Sequence, residues 1–409
     1  MTLAPEDLRE RIRALPGMDR LLPALEGLPP TYLVGGAVRD LLLEARGIDI
    51  DLAVEGDARA VARELSARLG GQCAAHERFG TATIRADILH VDLATTRTER
   101  YPKPGALPEV EPAPIVEDLV RRDFTINAMA VALSGDELGH LLDPHGGLAD
   151  LDARQIRILH DRSFVDDPTR LMRAVRYEAR FGFAMDSDTE AIARDAIAAE
   201  TLKTVSGVRI RDELLRLLAE VEVAAGVERL ADLELDRALH PALRADADLV
   251  AGAALAAGET GADRVLAALA ALVQPAAWEL QDWLDGLQLA RDQRDSVLRA
   301  ARIAESLVAP LRRKPRHSVL YDLLVYEPPE ALALALALGA PPEPVLHFAR
   351  DLREVQLEIT GEELIAAGIP ESPAIGRALA ETLRQKLDGR VSGREEELET
   401  ALAIAREAA

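Results

Sequence analysis

Hydrophobic and polar positions follow two different periods along this chain, and the change of period near residue 150 divides it. Before that point, short apolar runs of strand length alternate with helical stretches and turn residues. Residues 6–27 predict one or two short helices broken at Pro16-Gly17. Thr31-Tyr32-Leu33-Val34 predicts a buried strand that runs into Gly35-Gly36, followed by a helix over 37–43. The stretch Gly47-Ile48-Asp49-Ile50-Asp51-Leu52 alternates carboxylate with apolar residue and then continues as Ala53-Val54, which predicts a second strand. A helix over about 57–70 follows, then strands near 80–85 and 88–93, the last carrying Asp92. The segment 97–115 holds five prolines and no apolar period, so a surface loop is expected. Residues 124–130 begin a helix or a strand, and the mixed character ends around Asp143-Pro144-His145-Gly146-Gly147.

From there the pattern is helical. Over 167–181, at 100° per residue, Arg170, Arg173, Arg176 and Arg180 fall within a third of the helix circumference, with Leu171, Ala174, Val175 and Ala179 on the opposite arc. Asp166-Asp167-Pro168 supplies the acidic residues and proline expected at a helix start. Such an arginine face is either solvated or ligand-binding. Helices continue over 186–235 with a break at Ser206-Gly207, and 240–350 is Ala/Leu-rich with turns at its prolines. Over 351–409, Gly361, Gly368 and Pro370 punctuate short helices, which suggests a compact terminal domain. The fold class is therefore α+β: a small mixed sheet with helices, then an all-helical remainder.

Composition narrows this picture in three ways. The chain has 409 residues, which as a prior means two to four domains, and its 3% aromatic content favours helices packed through Ala and Leu. The single cysteine, Cys73, leaves no internal disulfide framework and no cysteine zinc site. The charged start does not resemble a signal peptide, and no apolar run reaches membrane-spanning length, so a cytoplasmic protein is expected. A formal charge of −22 argues against a nucleic-acid partner unless Arg and Lys cluster locally, as they do at 170–180 and 209–216.

The candidate chemistry begins at Asp49 and Asp51. On a strand both carboxylates point the same way, with Cα atoms roughly 6.5–7 Å apart, within reach of one metal ion. Two like charges side by side on a half-buried strand are costly unless a cation neutralises them. Gly35-Gly36, between a strand and a helix N-terminus, is a candidate phosphate cradle, although such a pair is more often a plain turn. It is not a Walker loop, since no Gly-Lys-Ser/Thr follows.

Gly-Gly at a strand end, Asp-x-Asp on the next strand and a later strand carboxylate resemble the DNA polymerase β-like nucleotidyltransferases. The stretches YLVGGAVRD (32–40), DIDLAVEG (49–56), RRDFTINAMA (121–130) and DDPTRLMRAVRY (166–177) resemble the class II tRNA nucleotidyltransferase/bacterial poly(A) polymerase family. ITGEELIAAGIP (359–370) is similar to that family's C-terminal segment. The resemblance implies a catalytic head over 1–150, a helical neck over 151–220, a body over 221–350 and a tRNA-binding tail over 351–409. It implies Mg²⁺ on Asp49 and Asp51, and nucleotide contacts from Gly36, Arg39, Arg122, Asp123 and Asn127, the last three around the ribose. It further implies that Asp167 and Arg170 present a template to the Watson–Crick edge of C and then A, with Arg173 and Arg176 near the phosphates. An Arg fork donates to the base's carbonyl oxygen and ring nitrogen, while Asp accepts from the exocyclic amine that both C and A carry. The family usually has Glu-Asp at that motif's start, where this chain has Asp166-Asp167. Asp92 is a third metal carboxylate, a base, or a plain strand-end carboxylate.

The implied reaction is attack of a tRNA 3′-hydroxyl on the α-phosphate of CTP or ATP, adding C, C and A. Two features favour tRNA end synthesis over poly(A) addition: His76-Glu77-Arg78-Phe79-Gly80 in place of a basic segment, and no long basic tail. The 97–115 segment, with Arg97, Arg100 and Lys103, favours full CCA addition over a CC-adding or A-adding specialist. An inactive RNA-binding relative is the reading from another class, and the intact Asp49/Asp51 pair speaks against it.

Overall fold

A computed structural model describes residues 5–45, 47–76 and 80–407. The chain divides into two compact units, Met1–Arg209 and Ile210–Ala409. The first is built on one mixed seven-stranded sheet: β1 (Thr31–Val34), β2 (Ile50–Val54), β3 (Gln72–His76), β4 (Thr81–Ala86), β5 (Leu89–Thr95), β8 (Ala130–Ala132) and β9 (Leu141–Leu142), in the order β3-β4-β5-β2-β1-β8-β9. Among the described residues of this sheet only β2 and β5 pair in parallel, and their register sets Asp51 beside Asp92. Ile50 and Leu52 are buried as the alternation requires. Asp49 differs from expectation, because it is exposed and lies just before the strand.

Apolar strand faces need cover. The Ala58–Leu69 helix buries Val61, Ala62, Leu65 and Leu69, capped at its start by Asp57 and at its end by Gly70. It packs on β3, β4 and β5. On the neighbouring strands Tyr32, Val34, Ala53, Ala130 and Ala132 form a core cluster with Ile115 and Leu119 of the Ile115–Val120 helix.

The 97–115 segment corrects the loop expectation. It forms a two-stranded antiparallel ribbon, β6 (Arg97–Arg100) and β7 (Glu109–Pro112), and then starts the Ile115–Val120 helix. The ribbon has no apolar face, so a hydrophobic period could not reveal it. It is held by its backbone ladder and by charge, with Arg100 opposite Glu109 and the Glu99 carboxylate gripped by Arg121 at 2.9 Å. Residues 125–127 form one 3₁₀ turn before β8. The arginine-faced helix runs Thr169–Phe181 and buries Leu171, Ala174, Val175 and Ala179 as its pattern predicts.

The second unit is helical among its described residues. Pro329–Ala337 is apolar on every side and is accordingly buried, as is most of Arg264–Val273. A separate cluster of Ile359, Leu364, Ile369, Ile375, Ala378, Ala401 and Ala405 forms the core of the last helices. No helix among the described residues is long and apolar enough to cross a membrane.

Candidate active site

β1 ends at Gly35, whose backbone sits at φ +65°, a left-handed value that favours glycine. A Cβ there would lie 2.6 Å from an Arg122 terminal nitrogen, so the absence of a side chain is what lets that guanidinium approach the turn. Arg122 is held by Asp118 at 2.9 Å, while its buried Nε finds no hydrogen-bond partner among the described residues. An orphaned buried donor beside a glycine turn suits an anionic oxygen.

Around this turn lies a cavity of about 400 Å³ lined by Gly35, Gly36, Arg39, Asp51, Glu99, Tyr101, Arg121, Arg122, Asp123, Asn127, Asp167, Arg170, Arg173 and Tyr177. Hollows of 790 and 820 Å³ open elsewhere on this unit, but neither collects these groups.

Asp51 is the strained member. Burial and then the nearby Asp92 and Asp49 charges push its carboxyl up to about 6, against the opposing pull of Arg122. Asp92 itself accepts from the Thr83 hydroxyl. Carboxylate oxygens alone suit a hard divalent cation, and such ions are often held by one or two carboxylates plus substrate phosphates. Among the described residues no three acidic, His or Cys side chains close into a preformed cage. The site therefore fits a cation that shares its shell with a ligand.

The opposite wall is held by a hydrogen-bonded network. Asp123 accepts from the Phe124 backbone N–H and from the Asn127 amide, both at 2.9 Å, and from Arg173 at 3.0 and 2.5 Å. Burial works against this carboxylate, but the Arg173 charge and these hydrogen bonds hold it down at about 2. Asn127 also accepts from Arg39 at 2.5 Å.

Asp167 caps the start of the arginine helix, accepting with one oxygen from the Thr169 backbone N–H and hydroxyl and from Arg209 at 2.7 Å. The same Arg209 donates to the Gly105 carbonyl at 3.0 Å, in the connection between β6 and β7. Asp167 keeps its second oxygen open. Arg170 donates to the Ser163 hydroxyl and the Arg121 carbonyl at 2.6 and 2.7 Å, and each terminal nitrogen retains a second hydrogen.

The structure adds partners that the sequence did not show. Arg39 is buried, tied to Asp40 at 2.8 Å and packed over the Phe181 ring at 4.5 Å, so it props Asn127 as much as it faces the cavity. Arg173 lines the cavity and is paired there with Asp123. Arg176 is buried against the Tyr177 ring at 4.9 Å and does not line the cavity. The arginines at 209–216 are ion-paired, Arg209 with Asp167, Arg211 with Asp212 and the exposed Arg216 with Glu213. Residues 77–79, weighed against poly(A) addition, lie outside the described residues.

Three contributors, Glu99, Tyr101 and Asp118, escaped the sequence reading. Glu99 gathers Arg97, Arg121 and the Tyr101 hydroxyl. Burial and then Glu99 push the Tyr101 phenol up to about 12. Asp118 holds Arg121 and Arg122. None of these has a periodicity signal, since Glu99 is on the polar ribbon, Tyr101 directly follows its first strand and Asp118 is on a six-residue helix.

Comparison with known proteins places this geometry. Residues 31–157 match the poly A polymerase head domain, and residues 182–246 match a probable RNA and SrmB-binding site of polymerase A. The chain is 35% identical to an A-adding tRNA nucleotidyltransferase of Geobacter sulfurreducens, over 92% of this chain and 45% of that protein. It spans about half or less of this and two further A-adding relatives, 49% and 23% of their lengths. It is 33% identical to a CC-adding tRNA nucleotidyltransferase of Deinococcus radiodurans, over 89% of this chain and 87% of that one. A Thermotoga maritima CCA-adding enzyme solved with tRNA superposes with a TM-score of 0.77 at 31% identity, covering 98% of this chain and 99% of that one.

Proposed function

Because the chain belongs to the tRNA nucleotidyltransferase and poly(A) polymerase family, we propose that it adds C, C and A to tRNA 3′ ends from CTP and ATP. The observation that carries this reading is the cavity itself. It brings Asp51, Asp123, Asp167 and Arg170, which lie far apart in sequence, around one space of about 400 Å³.

In this reading the triphosphate lies along the Gly35-Gly36 turn, with Arg122 and its orphaned Nε donating to phosphate oxygens. Asp123, kept ionised and fixed by Asn127 and Arg173, accepts from ribose hydroxyls. Asp167 offers its open oxygen to the exocyclic amine of C or A, and Arg170 donates beside it. U and G present the wrong groups at those positions. Asp49 and Asp51, with Asp92 as third carboxylate, would hold Mg²⁺, which when bound lowers the pKa of the attacking hydroxyl and neutralises the leaving pyrophosphate. The tRNA 3′-oxygen forms a bond to the α-phosphorus, the bond to the bridging oxygen breaks, and pyrophosphate departs. Head, neck, body and tail divisions at 150, 220 and 350 belong to the same reading.

One observation favours a second reading, an A-adding specialist: relatives of that name match at 35–44% identity. Incubation with Mg²⁺, labelled CTP or ATP and tRNAs lacking CCA, ending in CC, or complete separates the two. CCA addition to the truncated tRNA supports the first reading. Incorporation of A alone, into CC-ending tRNA alone, supports the second, and no incorporation into any tRNA sinks both.

A further inference from the structure

Arg121 and Arg122 follow the Ile115–Val120 helix directly and carry like charges one residue apart. Asp118 precedes them by three and four residues, the spacing that brings a carboxylate up to both guanidinium groups at a helix end. On a solvated helix such a trio contributes little. Asp118 is not solvated, because only 1% of its surface is accessible. Burial works against its charge, yet Arg121 and then Arg122 hold its carboxyl below the usual carboxylate range.

The two oxygens of Asp118 have different partners. Oδ1 accepts from Arg121 Nε at 2.9 Å and from the Arg97 backbone N–H at 3.0 Å, where β6 begins. Arg121 also donates to Glu99 at 2.9 Å, so its charge is shared between two carboxylates. Oδ2 accepts from Arg122 Nη2 at 2.9 Å. The other terminal nitrogen of Arg122, Nη1, lies over the Gly35 turn, 2.6 Å from where a Cβ would stand. A planar guanidinium anchored at Nη2 and laid against backbone at Nη1 is not free to turn. Its Nε–H, the donor without a partner among the described residues, is therefore held in one direction beside the glycine turn.

We infer that Asp118 is a positioning residue for nucleotide binding: it does not line the cavity, yet by anchoring Nη2 it aims the Arg122 guanidinium at the triphosphate. This rests on the proposed placement of the triphosphate along Gly35-Gly36. The competing role is an ion pair that merely ties down the helix end, and the sign of one substitution separates the two. Removing a carboxylate near bound phosphates makes the site more positive, so by charge alone Asp118→Asn tightens CTP. Loss of aim weakens CTP instead. Asparagine keeps one acceptor for Arg121 and Arg97 but turns its amide N–H toward Arg122, donor against donor, which releases the guanidinium.

The test is equilibrium binding of CTP and of cytidine, which has no phosphate, to the full chain without tRNA. In Asp118→Asn the affinity for CTP should fall about tenfold, the worth of one charge-assisted hydrogen bond, while that for cytidine changes less than about twofold. Asp118→Glu keeps the charge and displaces the carboxylate by one methylene. It should lose about threefold for CTP and nothing for cytidine, and it carries the test if the Asn variant does not fold. An equal loss for CTP and cytidine, as general loosening would give, overturns the inference, and so does unchanged or tightened CTP binding. Wild type that binds CTP no more tightly than cytidine refutes the triphosphate placement and the inference with it. A wild-type preference for CTP that survives in the folded variants overturns the inference alone.

Discussion

Asp51 and Asp92 stand side by side in register on parallel strands β2 and β5, and the second carboxylate is a principal reason that the first resists ionisation. A sheet that sets two carboxylates next to each other holds repulsion that a bound cation or protonation relieves.

Asp51→Asn should therefore separate stability from activity. With its carboxyl raised to about 6 in the fold, ionised Asp51 destabilises the cation-free protein at neutral pH. That penalty is present above about pH 6 and is relieved as pH falls toward the unfolded value of about 4. The variant should be more stable at pH 7 by about 1–3 kcal/mol, with the gain vanishing near pH 4, while transfer falls at least about 100-fold. Denaturant melts at both pH values check the first part. A divalent cation should raise the melting temperature of wild type more than that of the variant, and equal rises would count against a metal role.

Asp123 has the opposite sign. Its carboxyl is depressed to about 2, so its stabilisation is complete above the unfolded value of about 4 and is lost as pH falls from there toward 2. The loss should amount to about 2 kcal/mol in wild type and be absent from the acid limb of Asp123→Asn. Acid titration of the two proteins by circular dichroism decides this.

Arg209 bridges the Asp167 carboxylate and the Gly105 carbonyl, so it positions the carboxylate proposed to read the base without lining the cavity. Arg209→Ala should blur discrimination between CTP or ATP and UTP or GTP by about tenfold, equivalent to one charge-assisted hydrogen bond of ~1.4 kcal/mol. Affinity for tRNA should change less. The same pattern, more pronounced, is expected of Arg170→Ala. Unchanged nucleotide selection in both variants would refute the template assignment.

Gly35→Ala should cost about 1–3 kcal/mol of stability, since the residue has positive φ and its new methyl would strike Arg122. Gly36→Ala meets nothing nearer than 3.4 Å and should be milder. Thermal melts of the two variants test the ranking, and KM for the nucleotide should rise more in the first.

Much of this molecule was legible in local sequence. Strand β1, the glycine turn, the Ala58–Leu69 helix and the inward arc of Thr169–Phe181 follow from period, cap and turn chemistry, which act between neighbours along the chain. Asp51 was visible in the strand alternation, whereas Asp123, Asp167 and Arg170 were singled out by the resemblance of their motifs to a known family.

What each charged group pairs with was not. The same helix periodicity that put four arginines on one face could not say that Arg173 is held by Asp123, that Arg176 packs on Tyr177, or that Arg180 is left exposed. Nor could it find the polar ribbon of β6 and β7, which has no apolar face to leave a trace. A hydrophobic period reports which side of an element meets the core. Whether a cation meets a carboxylate, an aromatic ring or solvent depends on residues 42 or 50 positions away, brought close only when the chain folds. Sequence therefore determined the elements and named the chemistry, and tertiary structure decided which charges are already paired and which remain for a ligand.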